Sequence, residues 1–333
     1  MKREQPSACV VNAPCKINLH LCIGDKRPDG FHSLESLFVS LAFGDTLRLE
    51  RSAQKKGDCH LFMEWEVPAE EIAPENNLVV KAVSLFRQHS GFESDLKILL
   101  NKRIPAGAGL GGASSDAASC LLALNFLAGK RLSDADLGKM AAQLGSDVPF
   151  FLGGGAAMVS GRGEIVESVK IPENLWVLLA KPPFSSKTAE AFRLLDEARA
   201  VNGGKKSSLR PIERPCRGGY PGGILSSAEQ IKLALNGKPD AWPFWNDFLP
   251  LFCSSFPESS PENTEKAAIY REILESLREQ GASFSGLSGS GSCCFGIFDT
   301  ENLAKNAEKA LSGRVNFLRL TFFLARRPDP VLQ

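Results

Sequence analysis

The chain has 333 residues, 43% of them hydrophobic and 23% charged, a globular composition that excludes collagen-like, coiled-coil and wholly disordered chains. At about 100 to 200 residues per domain, the length predicts two domains. Lys and Arg total 39 against 38 Asp and Glu, so no net field steers the chain to nucleic acid or an anionic membrane, and any anionic ligand needs a local site.

Nine cysteines, an odd number without Cys-x-x-Cys spacing, do not make a disulfide scaffold, and Cys59 and His60 have no companions at zinc-ligand spacing. They fit buried filler in a reducing compartment. Lys2, Arg3 and Glu4 open the chain without an apolar run, which is no signal-peptide pattern, and the charge-poor run 280–298 is too broken by Gly and Ser to span a membrane. The expectation is a cytoplasmic protein, monomeric or weakly dimeric, with no membrane or nucleic-acid partner.

In chain order, polar Lys16, Asn18 and His20 alternate with apolar Ile17, Leu19 and Leu21, which predicts a strand with all three polar residues on one face, either a solvated edge or the wall of a site. Strands follow at 46–50 and 59–67. Val79, Ala82, Val83 and Phe86 recur at helical spacing, with Asn76 or Asn77 as N-cap and Gly91 as the stop. A strand over 95–100 leads through a glycine-rich loop into the Ala-rich segment 117–128. Leu137, Met140, Ala141 and Leu144 predict a helix between Ser133 and Gly145, and Tyr270, Ile273, Leu274 and Leu277 another before Gly281. Strands are read at 175–180, 292–298 and 315–324. This interspersed order predicts a mixed α/β, or α+β, class, divided into domains at 1–170 and 171–333. The Gly-, Pro- and Lys/Arg-rich stretch 198–224 reads as a long loop, a solvated insertion or an anion-binding lid.

The glycine-rich loop is the most informative segment. Lys102, Arg103, Ile104, Pro105, Ala106, Gly107, Ala108, Gly109, Leu110, Gly111, Gly112, Ala113, Ser114 and Ser115 lie between a strand and a helix, the geometry of a phosphate cradle. Glycine permits close backbone approach, and the free N–H groups of a helix start favour an anion. The Gly-x-Gly-x-x-Gly match at Gly107, Gly109 and Gly112 lacks the following strand and acidic residue of a dinucleotide fold, and no Gly-Lys-Ser/Thr makes a Walker loop. A flexible turn is the bland alternative. Asp147 lies between a helix end and the apolar run 148–152, where it either caps a turn or faces a site. With a phosphate loop and Lys16, it supplies the groups that phosphoryl transfer to an alcohol requires: charge neutralisation and an acceptor for the hydroxyl proton.

Together these segments resemble the GHMP kinases, whose ATP loop reads Pro-x-x-x-Gly-Leu-Gly-x-x-Ser-Ser, as Pro105 to Ser115 does here. Within that superfamily the chain is most similar to the kinases of 4-diphosphocytidyl-2-C-methyl-D-erythritol, through Ala13 to Leu19, Arg27 to Leu34, Gly44 to Leu47, Asn77-Leu78, Leu144 to Pro149 and Leu287 to Ser292. The resemblance implies an N-terminal domain of ribosomal-protein-S5-like type and a ferredoxin-like C-terminal domain, with ATP and Mg²⁺ as cofactors. Asp147 would be the catalytic base and Lys16 the lysine that lowers the hydroxyl's effective pKa. Asn18 would place the small-molecule substrate, Phe31 and His32 would hold its cytosine, and Thr188 and Phe192 would supply a second aromatic wall. Asn77 and Lys102 would lie around the adenosine, the loop from Pro105 to Ser115 would wrap the phosphates, and Ser115 is the candidate Mg²⁺ ligand. Other GHMP alcohol kinases, of the mevalonate or homoserine type, and a non-catalytic S5-like RNA-binding protein are the competing readings.

Overall fold

The computed structural model describes residues 6–54, 56–68, 72–173, 175–201, 228–254 and 260–332. Two long antiparallel strands, β1 (Ala8–Lys26) and β2 (His32–Arg51), form its spine. The sequence shows only fragments of them because their alternation is interrupted. Between Asn18 and His20, β1 advances two residues while β2 advances one, from Phe38 to Leu37, so one extra residue bulges at Leu19. Paired residues share a face, so the bulge reverses the side to which β1 points its side chains. Lys16 and Asn18 therefore keep one face, Leu21 joins them, and His20 turns to the other. The expectation that all three polar residues share a face is corrected for His20, which instead packs near Phe244 and accepts the Trp245 N–H on Nδ1 at 3.1 Å.

Around this spine, β3 (Cys59–Trp65), α1 (Leu78–Ser90), β4 (Leu96–Lys102), α2 (Gly112–Leu127), α3 (Asp134–Leu144), α4 (Val148–Gly153), β5 (Ala156–Gly161) and β6 (Ile165–Val169) complete the first half. β2 is shared between two neighbours: its C-terminal part pairs with β4, which also pairs in parallel with β3, and its N-terminal part pairs with β5 and through it β6. The helix starts follow from their caps: Asn77 Oδ1 accepts from the Val79 N–H at 2.9 Å and Ser133 Oγ from the Asp136 N–H at 3.2 Å, while Gly91 closes α1 at φ +64°. α2 is apolar on nearly every side because it is enclosed between the sheet, α1, α3 and α4.

The chain continues through β7 (Trp176–Lys181), α5 (Thr188–Val201), α6 (Ala228–Ala234), α7 (Phe248–Cys253), α8 (Pro261–Glu279), β8 (Phe284–Leu287), β9 (Cys294–Phe298), α9 (Glu301–Leu311) and β10 (Phe317–Phe322). These strands form a second sheet, antiparallel throughout, in the order β10-β7-β9-β8, and β11 (Val331–Leu332) returns to pair with β1. The long loop read from residue 198 begins later, because α5 runs to Val201; positions 202–224 lie outside the described residues. Among the described residues, no helix is long and apolar enough to cross a membrane.

Three apolar layers hold this mixed α/β structure together. Val11, Leu47, Leu49, Ile98 and the inner faces of α1 to α4 form one; Ile17, Leu37, Val39, Val177, Leu179 and Phe295 fill the space between the sheets; and Leu178, Phe298, Leu195, Leu251 and Leu277 join the second sheet to its helices. The middle layer joins the two sheets, and residues from both halves of the chain line one cleft. At Gly44, opposite Pro14, a Cβ would come within 3.0 Å of the Ala13 carbonyl and of Pro14 Cα. Both are backbone of the paired strand and have little freedom to give way. Gly44→Ala is expected to lower the unfolding free energy by about 3 kcal/mol, read from the urea midpoint at unchanged slope.

Candidate active site

The cleft has a volume of about 400 Å³ and is lined by the loop from Pro105 to Ser114, Lys16, Asn18, Lys102, Asp147, Thr188, Phe192 and the turn Gly289 to Gly291. The loop is fixed from behind. Its Gly107 carbonyl accepts from the Ser186 and Ser292 N–H groups at 3.0 and 3.2 Å, Ala108 from Cys293 N–H at 3.1 Å, Gly109 from the Ser288 hydroxyl at 2.8 Å, and Leu110 from the Lys16 N–H at 3.0 Å. With four successive carbonyls so engaged, the start of α2 presents the N–H groups of Gly112, Ala113 and Ser114, which have no intrahelical partner, to the cleft. Gly109 takes φ +73°, and a Cβ there would collide with the Ser288 carbonyl.

Lys16 is buried on β1. Its ammonium donates to Asn18 Oδ1 at 2.5 Å, lies 3.6 Å from Asp147 Oδ2 and sits 4.3 Å from the centre of the Phe38 ring. Burial pushes its pKa down, and the Asp147 carboxylate opposes that shift. Asp147, its side chain one-third exposed, precedes α4 just after the turn that ends α3, so the short link between two helices holds the acid against Lys16.

Lys102 has a different environment. Its ammonium bridges Asp45 and, at 2.6 Å, Asp116. Burial pulls the Lys102 pKa down, but the two carboxylates together more than offset it and leave it raised. Asp45 Oδ1 also accepts the Arg103 and Ile104 N–H groups at 2.5 and 2.7 Å, so the triad clamps the strand entering the loop to the first turn of the helix leaving it. Burial pushes the Asp116 carboxyl up to about 8 against the pull of Lys102. Its Oδ1 is buried without a hydrogen-bond partner, which disfavours the charged form and acts in the same direction. Asp45 stands within the Gly44 to Leu47 motif and Asp116 directly after the glycine loop, but nothing in the sequence shows that they share a lysine.

Several expected site residues lie elsewhere. Asn77 does not line the cleft; its Oδ1 caps α1 and its Nδ2 faces Met63 Sδ at 3.4 Å. Ser115 is buried and donates to the Pro14 carbonyl at 2.7 Å, tying α2 to β1, whereas Ser114 lines the cleft. Phe31 is 55% exposed, with the Arg162 guanidinium 5.3 Å from its ring, and is not brought to Phe192. His32 stacks directly on Phe192, centroids 5.2 Å apart, while Nδ1 meets the Gly24 carbonyl at 3.0 Å and Nε2 meets Asp196 at 3.2 Å. No gap for a flat ring exists between those two side chains. Phe192 instead joins Leu21, Leu34 and Phe248 in an apolar wall of the cleft, while Trp65, Ile72 and Ile104 are further apolar lining. Thr188 Oγ1 lies 3.1 Å from Ser290 Oγ, linking the start of α5 to the turn opposite the loop.

Residues 77–155 match the family model for the GHMP kinases N terminal domain and residues 258–316 that for the GHMP kinases C terminal. Over 299 residues the chain is 34% identical to the 4-diphosphocytidyl-2-C-methyl-D-erythritol kinase of Thermodesulfovibrio yellowstonii, an alignment covering 90% of this chain and 92% of that one. The chain belongs to this kinase family. The chloroplastic kinase of Oryza sativa subsp. japonica is 44% identical over 185 residues, 55% of this chain; the chain spans 45% of that relative's length. The fold agrees with a crystal structure of 4-(cytidine 5'-diphospho)-2C-methyl-D-erythritol kinase at a TM-score of 0.70 and 29% identity, over 94% of this chain and 98% of that one. A homoserine kinase from Cytophaga hutchinsonii, at 16% identity and a TM-score of 0.66, shares the fold.

The upward shift of Asp116 has a thermodynamic signature. Between its ordinary value of 3.8 and about 8, the folded chain holds a proton that the unfolded chain has released. The contribution to stability therefore falls as pH rises through that window, by at most about 1.4 kcal/mol per pH unit for one proton. Asp116→Asn keeps the shape and removes the titration. Urea unfolding at several pH values from about 5 to about 8 should show the wild type losing stability relative to the variant. Parallel pH profiles would place the proton elsewhere.

Proposed function

We propose that this chain transfers the γ-phosphoryl group of ATP to the 2-hydroxyl of 4-diphosphocytidyl-2-C-methyl-D-erythritol, releasing ADP and the 2-phosphate, a step of the methylerythritol phosphate route to isoprenoids. Its family membership supports the reaction, and one observation carries the residue assignment: Lys16 and Asp147 form a close pair in the same cleft as the glycine loop. In this reading residues 1–170 form the ATP-binding domain and residues 171–333 the C-terminal domain.

The 2-hydroxyl is placed between the loop and Asp147. Its proton passes to the Asp147 carboxylate as the oxygen attacks Pγ, the bond from Pγ to the β,γ-bridging oxygen breaks, and ADP leaves. The buried Lys16 ammonium faces the developing negative charge across a short distance in a medium of low polarity, where such stabilisation is strongest. The N–H groups at the start of α2 hold phosphate oxygens. Lys102, already shared by two carboxylates, shapes the loop and carries no charge to spare for phosphate. The apolar wall of Leu21, Leu34, Phe192 and Phe248 suits the flat base of the substrate, reached from one side, with Asn18 and Thr188 as polar neighbours.

Mg²⁺ would neutralise phosphate charge when bound with ATP. Among the described residues no cluster of three or more His, Cys, Asp or Glu side chains is placed to hold a metal. Of the loop's two serines, Ser114 lines the cleft while Ser115 is tied to Pro14, so the Ser114 hydroxyl would be the loop's contribution to an ion bound with the nucleotide.

ADP release with ATP, Mg²⁺ and the diphosphocytidyl substrate, run beside mevalonate, homoserine and galactose, tests this reading. Turnover is expected only with the first, and turnover with another alcohol alone would overturn the substrate assignment. Asp147→Asn is expected to cut kcat by about 10²-fold or more while leaving ATP binding within about twofold. Near-normal turnover in that variant would remove Asp147 from its role as base.

A further inference from the structure

Ser36 is fully buried on β2, and its hydroxyl lies where the bulge at Leu19 and the Lys16 ammonium meet. It donates to the His20 carbonyl at 2.5 Å and receives the Asn18 Nδ2–H at 2.9 Å, while Asn18 Oδ1 accepts from Lys16 Nζ at 2.5 Å. The direction of this chain follows from its far end. A backbone carbonyl only accepts, so the single hydroxyl proton of Ser36 goes to His20, and the oxygen must then accept. Asn18 is obliged to turn its NH₂ group to Ser36 and its Oδ1 to Lys16. The opposite amide orientation would set an N–H donor against an ammonium and leave Ser36 without a donor.

We propose that Ser36 is a positioning residue for phosphoryl transfer: it fixes the polarity of the Asn18 amide and thereby holds the Lys16 ammonium beside Asp147. The inference rests on the reading of Lys16 and Asp147 as the reacting pair. The groups facing the ammonium are Asn18 on β1, the Phe38 ring on β2 and the Asp147 carboxylate before α4, with Cys15 adjacent on β1. Among the described residues, only Asp147 pairs with it as a full opposite charge, and Asn18 Oδ1 is its closest hydrogen-bond acceptor. An amide free to turn would lose the second of these stabilising contacts.

Two variants separate positioning from packing. Ser36→Ala removes the hydroxyl with little change of volume, and Ser36→Thr keeps it. In Ser36→Ala, kcat is expected to fall about tenfold, the scale of one hydrogen bond to a charged group, with the KM for ATP changed by less than about twofold. Ser36→Thr should recover most of that loss. A second readout needs no substrate: the titration of Lys16, followed by NMR of ¹³Cε-labelled lysine and assigned with Lys16→Met. In Ser36→Ala it should move to lower pH, because the charged form loses an acceptor, and in Ser36→Thr it should stay with the wild type. A Lys16 titration in Ser36→Ala that overlays the wild type overturns the proposal, as does Ser36→Thr behaving like Ser36→Ala. If the wild type fails to turn over the diphosphocytidyl substrate, the assigned reaction falls, while the titration still decides the role of Ser36.

Discussion

Gly109 rests where any side chain would run into the Ser288 carbonyl, and the Ser288 hydroxyl donates back to the Gly109 carbonyl at 2.8 Å. This contact joins the loop before α2 to the turn before β9, and so the first sheet to the second. The same seam continues through Cys293 N–H to Ala108 and Ser292 N–H to Gly107. Asn246 secures the turn from the other side, donating to the Leu287 and Gly289 carbonyls at 2.8 Å each. The loop's carbonyls are engaged in this seam, and the N–H groups at the start of α2, without partners as at any helix N-terminus, lie at the cleft. The contacts that join the two sheets are thus also those that hold the start of α2 at the cleft.

Two buried lysines in one cleft have been given opposite properties by the number of carboxylates beside them. Lys102 has two, which raise its pKa despite burial and tie it into a clamp; Lys16 has one, at 3.6 Å, and its pKa is lowered. A lysine locked between two acids adds rigidity and little field. One held by a neutral amide and a single partly exposed carboxylate is less tightly bound and faces the cleft. Rigidity under the loop and electrostatic reach beside Asp147 thus come from the same residue type, sorted by its surroundings.

Local signals were legible in the sequence, and long-range ones were not. Asn77, Ser133, Gly91 and the strand, loop and helix around Gly109 could be read because each depends on neighbours within a few residues. The Lys16 and Asp147 pairing was reached by combining motifs with a family resemblance, since 131 positions separate the two in the chain. The length of β1 and β2 could not be read, because a bulge at Leu19 and an irregularity between Pro14 and Lys16 break the alternation on which strand reading depends. Ser115 looked like a ligand because it is a hydroxyl in a phosphate loop, but helical geometry turns it inward to Pro14 while Ser114, one position earlier, faces the cleft. Phe31 and His32 are adjacent in sequence but differ in surroundings because Phe31 lies in the turn before β2 and stays exposed, while His32 begins the strand and is buried against Phe192.

The bulge at Leu19 also determines what the far wall of the cleft is made of. Strict alternation would follow Lys16 and Asn18 with His20, placing a third polar group there. One inserted residue turns His20 into the layer between the sheets, where burial lowers its pKa to about 4 and keeps it neutral, and brings Leu21 into the wall beside Leu34 and Phe192. The same insertion leaves the His20 carbonyl to be satisfied by Ser36, which orients Asn18 toward Lys16. A single backbone irregularity thus separates a polar end of the cleft from an apolar one, and it does so with hydrogen bonds that also set the direction of the polar network. The mixed polar and apolar character of the cleft is therefore a property of strand register as much as of side-chain identity.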